Sequence, residues 1–94
     1  MTKYKYLTTT QFRKDVKLCI KQGRSMDMLE RVITLLLNEG KLPAEYHPYK
    51  LSGRLTGLWE CHIQSDWLLI WDQDDIKLTM IMTRTGSHSL VLNM

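Results

Sequence analysis

Residues 57–71, GLWECHIQSDWLLIW, constrain this chain more than any other stretch. Side chains alternate over 58–64. Trp59, Cys61 and Ile63 share one face, and Leu58, Glu60, His62 and Gln64 share the other, the period-two mark of a strand. Ser65 and Asp66 turn the chain. Residues 67–71 are then almost wholly apolar, as a central strand covered on both faces would be. The stretch therefore reads as a β-hairpin with His62, Asp66 and Trp67 gathered around its turn.

The remaining elements fall around that hairpin. Lys3-Tyr4-Lys5-Tyr6 alternates charge and aromatic, a short first strand. Thr8, Thr9 and Thr10 are candidate helix entries, because a hydroxyl can cap free N–H groups. Phe12, Val16, Cys19 and Ile20 then recur at helical spacing, with Arg13, Lys14, Lys17 and Lys21 largely on the other faces. Gly23 stops this helix. A second helix starts at Ser25 or Asp27, the latter with Glu30 three residues on, as in a capping box. Leu29, Val32, Ile33, Leu36 and Leu37 make the clearest helical stripe in the chain, and Asn38-Glu39-Gly40 ends it. The short loop at Gly23 folds the two helices into an antiparallel hairpin.

Residues 41–53, KLPAEYHPYKLSG, hold both prolines and read as an extended loop. Residues 72–75 read as a polar turn with three acids, and 76–83 as the last long strand. Ile76, Leu78, Met80 and Met82 share a face there, and period-two counting adds Arg84 to it. A guanidinium at the end of an apolar row must meet water or an anion at the core's rim; Asp66 and Glu60 are its candidate partners. Thr85-Gly86-Ser87 leads to His88 and an apolar tail, SLVLNM. Tight turns imply antiparallel neighbours. The expected fold is α+β: an N-terminal strand and a two-helix hairpin packed on one face of a small, mainly antiparallel sheet of four to five strands. The other face is left open for function.

A chain of 94 residues is expected to be one domain, spanning 1–94. No apolar run reaches the roughly 18 residues that span a bilayer, and MTKYKYLTTT lacks a signal peptide's apolar segment, so the default compartment is the cytoplasm. Cys19 and Cys61 follow no metal-ligand spacing and read as buried free thiols. The net charge of +3 is unevenly spread: the first 24 residues hold seven Lys/Arg against one acid, Asp15. That basic half suits nucleic acid or an acidic partner protein.

There is no glycine-rich phosphate loop, CxxC, HExxH or GxSxG, which argues against nucleotide-binding, zinc and serine-hydrolase enzymes. What remains is His47, His62, His88, Arg84, Asp66 and several aromatics. That set suits phosphodiester cleavage in RNA by attack of the 2′-OH on the adjacent phosphate. Histidine serves as base or acid near neutral pH. Arginine grips phosphate with two N–H groups and stabilises charge that grows in the transition state. Trp67 is a candidate platform for a splayed base. Each residue also has a structural reading: a core histidine, an ion-paired arginine, a turn aspartate, core tryptophans and a solvated basic helix.

Taken together, LSG at 51–53, G-x-x-E-C-H-I at 57–63, D-W-L-L-I at 66–70 and R-T-G-S-H at 84–88 resemble the YafQ-like branch of the RelE toxin superfamily. Phe12 to Lys17 (F-x-K-D-V-K) and the Leu-rich second helix fit as well. The resemblance covers nearly the whole chain. It implies a toxin of a type II toxin–antitoxin pair: a ribosome-dependent mRNA interferase that cuts messenger RNA in the ribosomal A site without a metal or other cofactor. It also implies a cognate antitoxin that neutralises the toxin, with operator DNA bound only through that complex. Carried over by position, His62, Asp66, Arg84 and His88 match catalytic residues, and Trp67 matches an active-site aromatic. His62 and His88 would share the acid–base work, Arg84 would hold the phosphate, and Asp66 would orient a histidine or accept a proton. Two positions depart from the family pattern. Tyr49 stands where a loop histidine is usual, with His47 two residues earlier; Tyr49, with a reference pKa near 10, is a poor base at pH 7. Leu92 stands where an aromatic is usual. Tyr49, His47, Trp67 and Leu92 are the expected RNA contacts. Two other readings share the sequence: a non-enzymatic toxin of the same fold that binds a protein, as gyrase poisons do, and a nucleic-acid-binding module that does not cleave.

Overall fold

The computed structural model describes residues 2–92. Its elements in order are β1 (Lys5–Thr8), α1 (Thr10–Lys21), α2 (Met26–Glu39), β2 (Tyr49–Lys50), β3 (Leu58–Gln64), β4 (Trp67–Asp74), β5 (Thr79–Gly86) and α3 (His88–Val91). The strands form one sheet in the order β1-β5-β4-β3-β2. β1 runs parallel to β5, and every other neighbour is antiparallel. This is the expected α+β architecture with five strands.

Local chemistry fixes both long helices. Among the three threonines, Thr9 caps α1: its hydroxyl accepts from the Phe12 N–H and donates to the Thr83 carbonyl. One side chain thus starts the helix and ties it to β5. Ser25, rather than Asp27, caps α2 by accepting from the Met28 N–H. Gly40 closes α2 in the left-handed region, at φ 71°, which a residue without Cβ enters freely.

The α2 stripe of Leu29, Val32, Ile33, Leu36 and Leu37 is buried as expected. It packs with Phe12 and Cys19 on Cys61, Ile63, Trp67, Leu69, Trp71, Met80 and Met82. On α1 the pattern is less regular: Ile20 is exposed and Asp15 is buried. Both cysteines are buried free thiols, and burial, with Glu60 nearby, pushes the Cys61 thiol up to about 12. Among the described residues, no helix is long and apolar enough to cross a membrane.

The second face of the sheet is less open than the sequence suggests. Leu68, Ile70 and Val91 are fully buried there, with Leu51, Leu58 and Leu92 packed against them. The short α3 and the 51–58 segment therefore cap part of that face. The loop expected at 41–53 also carries a 3-10 turn (Ala44–Tyr46) and the two residues of β2.

The largest revision is at the β4–β5 connection. β4 continues through Asp74, and β5 begins at Thr79 rather than at residue 76. The cause is the Asp74 side chain, which accepts from the Ile76 and Lys77 N–H groups and holds a turn beyond the acids. Ile76 is 94% exposed in consequence, and Leu78 sits at φ 52° in the left-handed region. A register shift follows: Trp71 pairs with Met82, but Ile70 pairs with Arg84, so Thr83 is an extra residue. Met80 and Met82 lie with the helix-side core, whereas Arg84 is aligned with Ile70 of the second face. Period-two counting put Arg84 on the wrong side because it assumed an unbroken strand.

Candidate active site

β3 brings the first candidate side chain to the second face. His62 pairs with Leu68 and follows Glu60, itself opposite Ile70 and Tyr49, along the same row of alternating residues. The loop before β2 supplies His47. It ends the 3-10 turn at φ 49°, a conformation that costs most side chains dearly but in which histidine is enriched. The ring centroids of His47 and His62 lie 5.8 Å apart, edge to face. His88, at the start of α3, lies 5.3 Å from His62, again edge to face. His62 thus has an imidazole from each of two distant segments within 6 Å of its own ring, His47 and His88 being 41 positions apart.

Asp66 at the hairpin turn orients one of them. Its Oδ1 accepts from the His88 backbone N–H at 3.0 Å and meets Nδ1 of the ring at 3.1 Å. The backbone N–H, and then the ring, hold the Asp66 carboxyl below its ordinary range. The carboxylate is ionised at neutral pH and can only accept, so Nδ1 carries the hydrogen. Nε2 is left as the ring's unengaged nitrogen. This is the arrangement in which a histidine trades a proton while a carboxylate steadies the imidazolium that forms. Both groups are open to solvent, at 46% and 66% exposure.

Arg84 pairs with neither Asp66 nor Glu60. Its Nε donates to Asp15 Oδ2 at 2.7 Å and its Nη2 to Oδ1 at 3.3 Å, across to α1. Asp15 Oδ2 also accepts from the Thr85 N–H, and Oδ1 from the Gln11 amide. The guanidinium is therefore fixed by a buried carboxylate, and its Nη1 edge makes no hydrogen bond to any described residue.

Trp67 departs from its expected role. It is fully buried, and its Nε1 donates to the Thr85 hydroxyl at 3.0 Å, which donates in turn to the Leu68 carbonyl at 2.7 Å. The Arg24 guanidinium sits 5.4 Å from its ring centroid. In this conformation the ring cannot stack on a base; it locks β4 to β5 beneath the site. Leu92 is likewise partly buried in the second cluster. Tyr49 is 49% exposed and stands opposite Glu60, which shares the His62 row of β3.

Sequence reasoning missed Asp15 and Arg24 as contributors and treated Glu60 only as a partner for Arg84. Asp15 had one signal: it is the lone acid in a basic helix. Glu60 had none beyond sharing the His62 face. It is 1% exposed, and neither of its carboxylate oxygens has a hydrogen-bond partner of good geometry among the described residues.

Comparison with known proteins gives the family and the fold. Residues 4–93 match the family model described as "Bacterial toxin of type II toxin-antitoxin system, YafQ". The chain is 39% identical over 80 residues to the mRNA interferase toxin YafQ of Escherichia coli strain K12, covering 84% of this chain and 85% of that protein. The crystal structure of YafQ from E. coli strain BL21(DE3) superposes with a TM-score of 0.87 at 32% identity, covering 94% of this chain and 97% of the other. The toxin in the E. coli DinJ–YafQ toxin–antitoxin complex superposes with a TM-score of 0.86 at 33% identity, covering 95% and 97%. With the model match running almost end to end, this chain belongs to the YafQ family of bacterial toxins of type II toxin–antitoxin systems.

Proposed function

We propose that the site cleaves messenger RNA by acid–base chemistry on its own phosphodiester, with side chains alone moving the protons. As a toxin of this family the chain is an endoribonuclease of the mRNA interferase class. The observation that carries the mechanism is the cluster of three imidazoles around His62, with His88 oriented by Asp66. His62 and His88 take part in the proton transfers. Arg84, steadied by Asp15, turns its remaining N–H edge to the phosphate and offsets the charge that develops there. Tyr49 and His47 border the site and contact the RNA.

The whole chain works as one domain in the cytoplasm, on mRNA held in the ribosomal A site. An antitoxin is its partner, as DinJ is for the E. coli protein, and operator DNA is reached only through that complex. The basic first helix suits an acidic stretch of such a partner.

The test is His88→Ala in purified protein with programmed ribosomes. Cleavage is expected to fall by about 10²-fold or more, with folding and antitoxin binding intact. Cleavage at the wild-type rate would refute the acid–base assignment, and continued growth arrest without cleavage would favour a protein-binding toxin.

A further inference from the structure

We propose that Tyr49 and Glu60 form a relay that removes the proton from the attacking 2′-hydroxyl, with Glu60 as its final acceptor. The inference rests on the cleavage reading above and assigns one half of it.

Tyr49 and Glu60 stand directly opposite each other on β2 and β3. Tyr49 is half exposed at the site, while Glu60 lies beneath it at 1% exposure. Among the described residues neither buried Glu60 oxygen meets a partner at good hydrogen-bond geometry, and the contact that remains is a loose one with the Tyr49 hydroxyl. Buried carboxylates are otherwise almost always paired, and an unpaired one calls for an explanation. Among the described residues no cation supplies it. β4 opposes Glu60 with the uncharged Ile70, the next polar group on the same face of β3 is His62, and Arg84 lies a strand further across, engaged by Asp15. The group that faces Glu60 and has a proton to give is the Tyr49 phenol. The interaction with Glu60, and then burial, hold that phenol above its ordinary value. Tyr49 alone therefore keeps its proton and is a poor base.

A relay removes the difficulty. As the 2′-oxygen bonds to phosphorus, its proton passes to Tyr49 Oη and the phenolic proton passes to a Glu60 oxygen. Tyrosine never becomes a free phenolate. The bond from phosphorus to the 5′-oxygen breaks, and that oxygen takes a proton from the His62–His88 pair. Glu60 ends as the carboxylic acid and the imidazolium as neutral imidazole, so protons and charge balance. The products are a cyclic phosphate and a 5′-hydroxyl. Because it acts through Tyr49, Glu60 is a positioning and proton-accepting residue.

The experiment compares Glu60→Gln, Tyr49→Phe and the double variant for cleavage on programmed ribosomes, with His88→Ala and Asp66→Asn alongside. Each single change is expected to lower kcat by about 10²-fold, and the double variant to be no worse than the poorer single, as for groups that act as a unit. The acid limb of the pH–rate profile should vanish in Glu60→Gln and Tyr49→Phe but persist in Asp66→Asn. Glu60→Gln keeps the side chain's size and shape and should melt close to wild type. Wild-type cleavage by Glu60→Gln, or losses that multiply in the double variant, overturns the relay. If that result comes with an inactive His88→Ala, the cleavage site stands and only the relay falls. An active His88→Ala overturns both. Should Glu60→Gln unfold, Tyr49→Phe decides: an unchanged rate and acid limb refute the relay.

Discussion

Asp15→Ala probes the contact that holds Arg84, the residue proposed to grip the phosphate. Surface ion pairs are worth about 0–1 kcal/mol, but this pair is not at the surface: Asp15 is 3% exposed and the Arg84 side chain 12%. The carboxylate accepts four hydrogen bonds, from Gln11, from Arg84 Nε and Nη2, and from the Thr85 N–H. Its removal strands a mostly buried guanidinium, which costs about 3–5 kcal/mol. Domains of this size hold only about 5–15 kcal/mol in all. At about 4–8 °C per kcal/mol, thermal unfolding followed by circular dichroism should show a fall of at least about 12 °C. Cleavage at a temperature where the variant is folded should also drop, because the guanidinium loses its fixed fork. Replacing both partners, Asp15→Ala with Arg84→Met, should melt above Asp15→Ala alone, since no buried charge is then stranded. A fall under about 4 °C for Asp15→Ala would place the pair with ordinary surface bridges. A double variant that melts lower still would refute the stranded-charge account.

Two further outcomes follow from the site's surroundings. Trp67→Phe keeps a buried ring but removes the donor to Thr85, so it should cost about 1 kcal/mol with cleavage nearly unchanged; an RNA-binding defect without a melting change would restore the base-stacking role. The Asp66 carboxyl is held below its ordinary value by His88. Its stabilising contribution is therefore present at neutral pH and disappears as pH falls through that lowered value. The melting difference between wild type and Asp66→Asn should accordingly shrink on acidification, and a difference that grows at low pH would reverse the assigned sign.

Much of this protein was written in the chain itself. Apolar spacing at Leu29, Val32, Ile33, Leu36 and Leu37 has one economical use, a buried helix face, and 57–71 has one, a hairpin against that layer. Hydroxyls at Thr9 and Ser25 mark helix starts because they serve N–H groups a few residues away. Such signals are local, so sequence carries them. The catalytic candidates were legible as residue types in motifs, and the hairpin with the strand after it was enough to bring His62, Asp66 and His88 to one edge; the contact of His47 with His62 was not legible, because it depends on a left-handed loop turn. Tertiary structure alone made Asp15 the partner of Arg84, 69 positions away, and took Trp67 out of reach of a base. It also moved Arg84 across the sheet, since a one-residue bulge at Thr83 reverses every face assignment after it. Pairing register and burial are set by what the rest of the chain places alongside, and no local period records that.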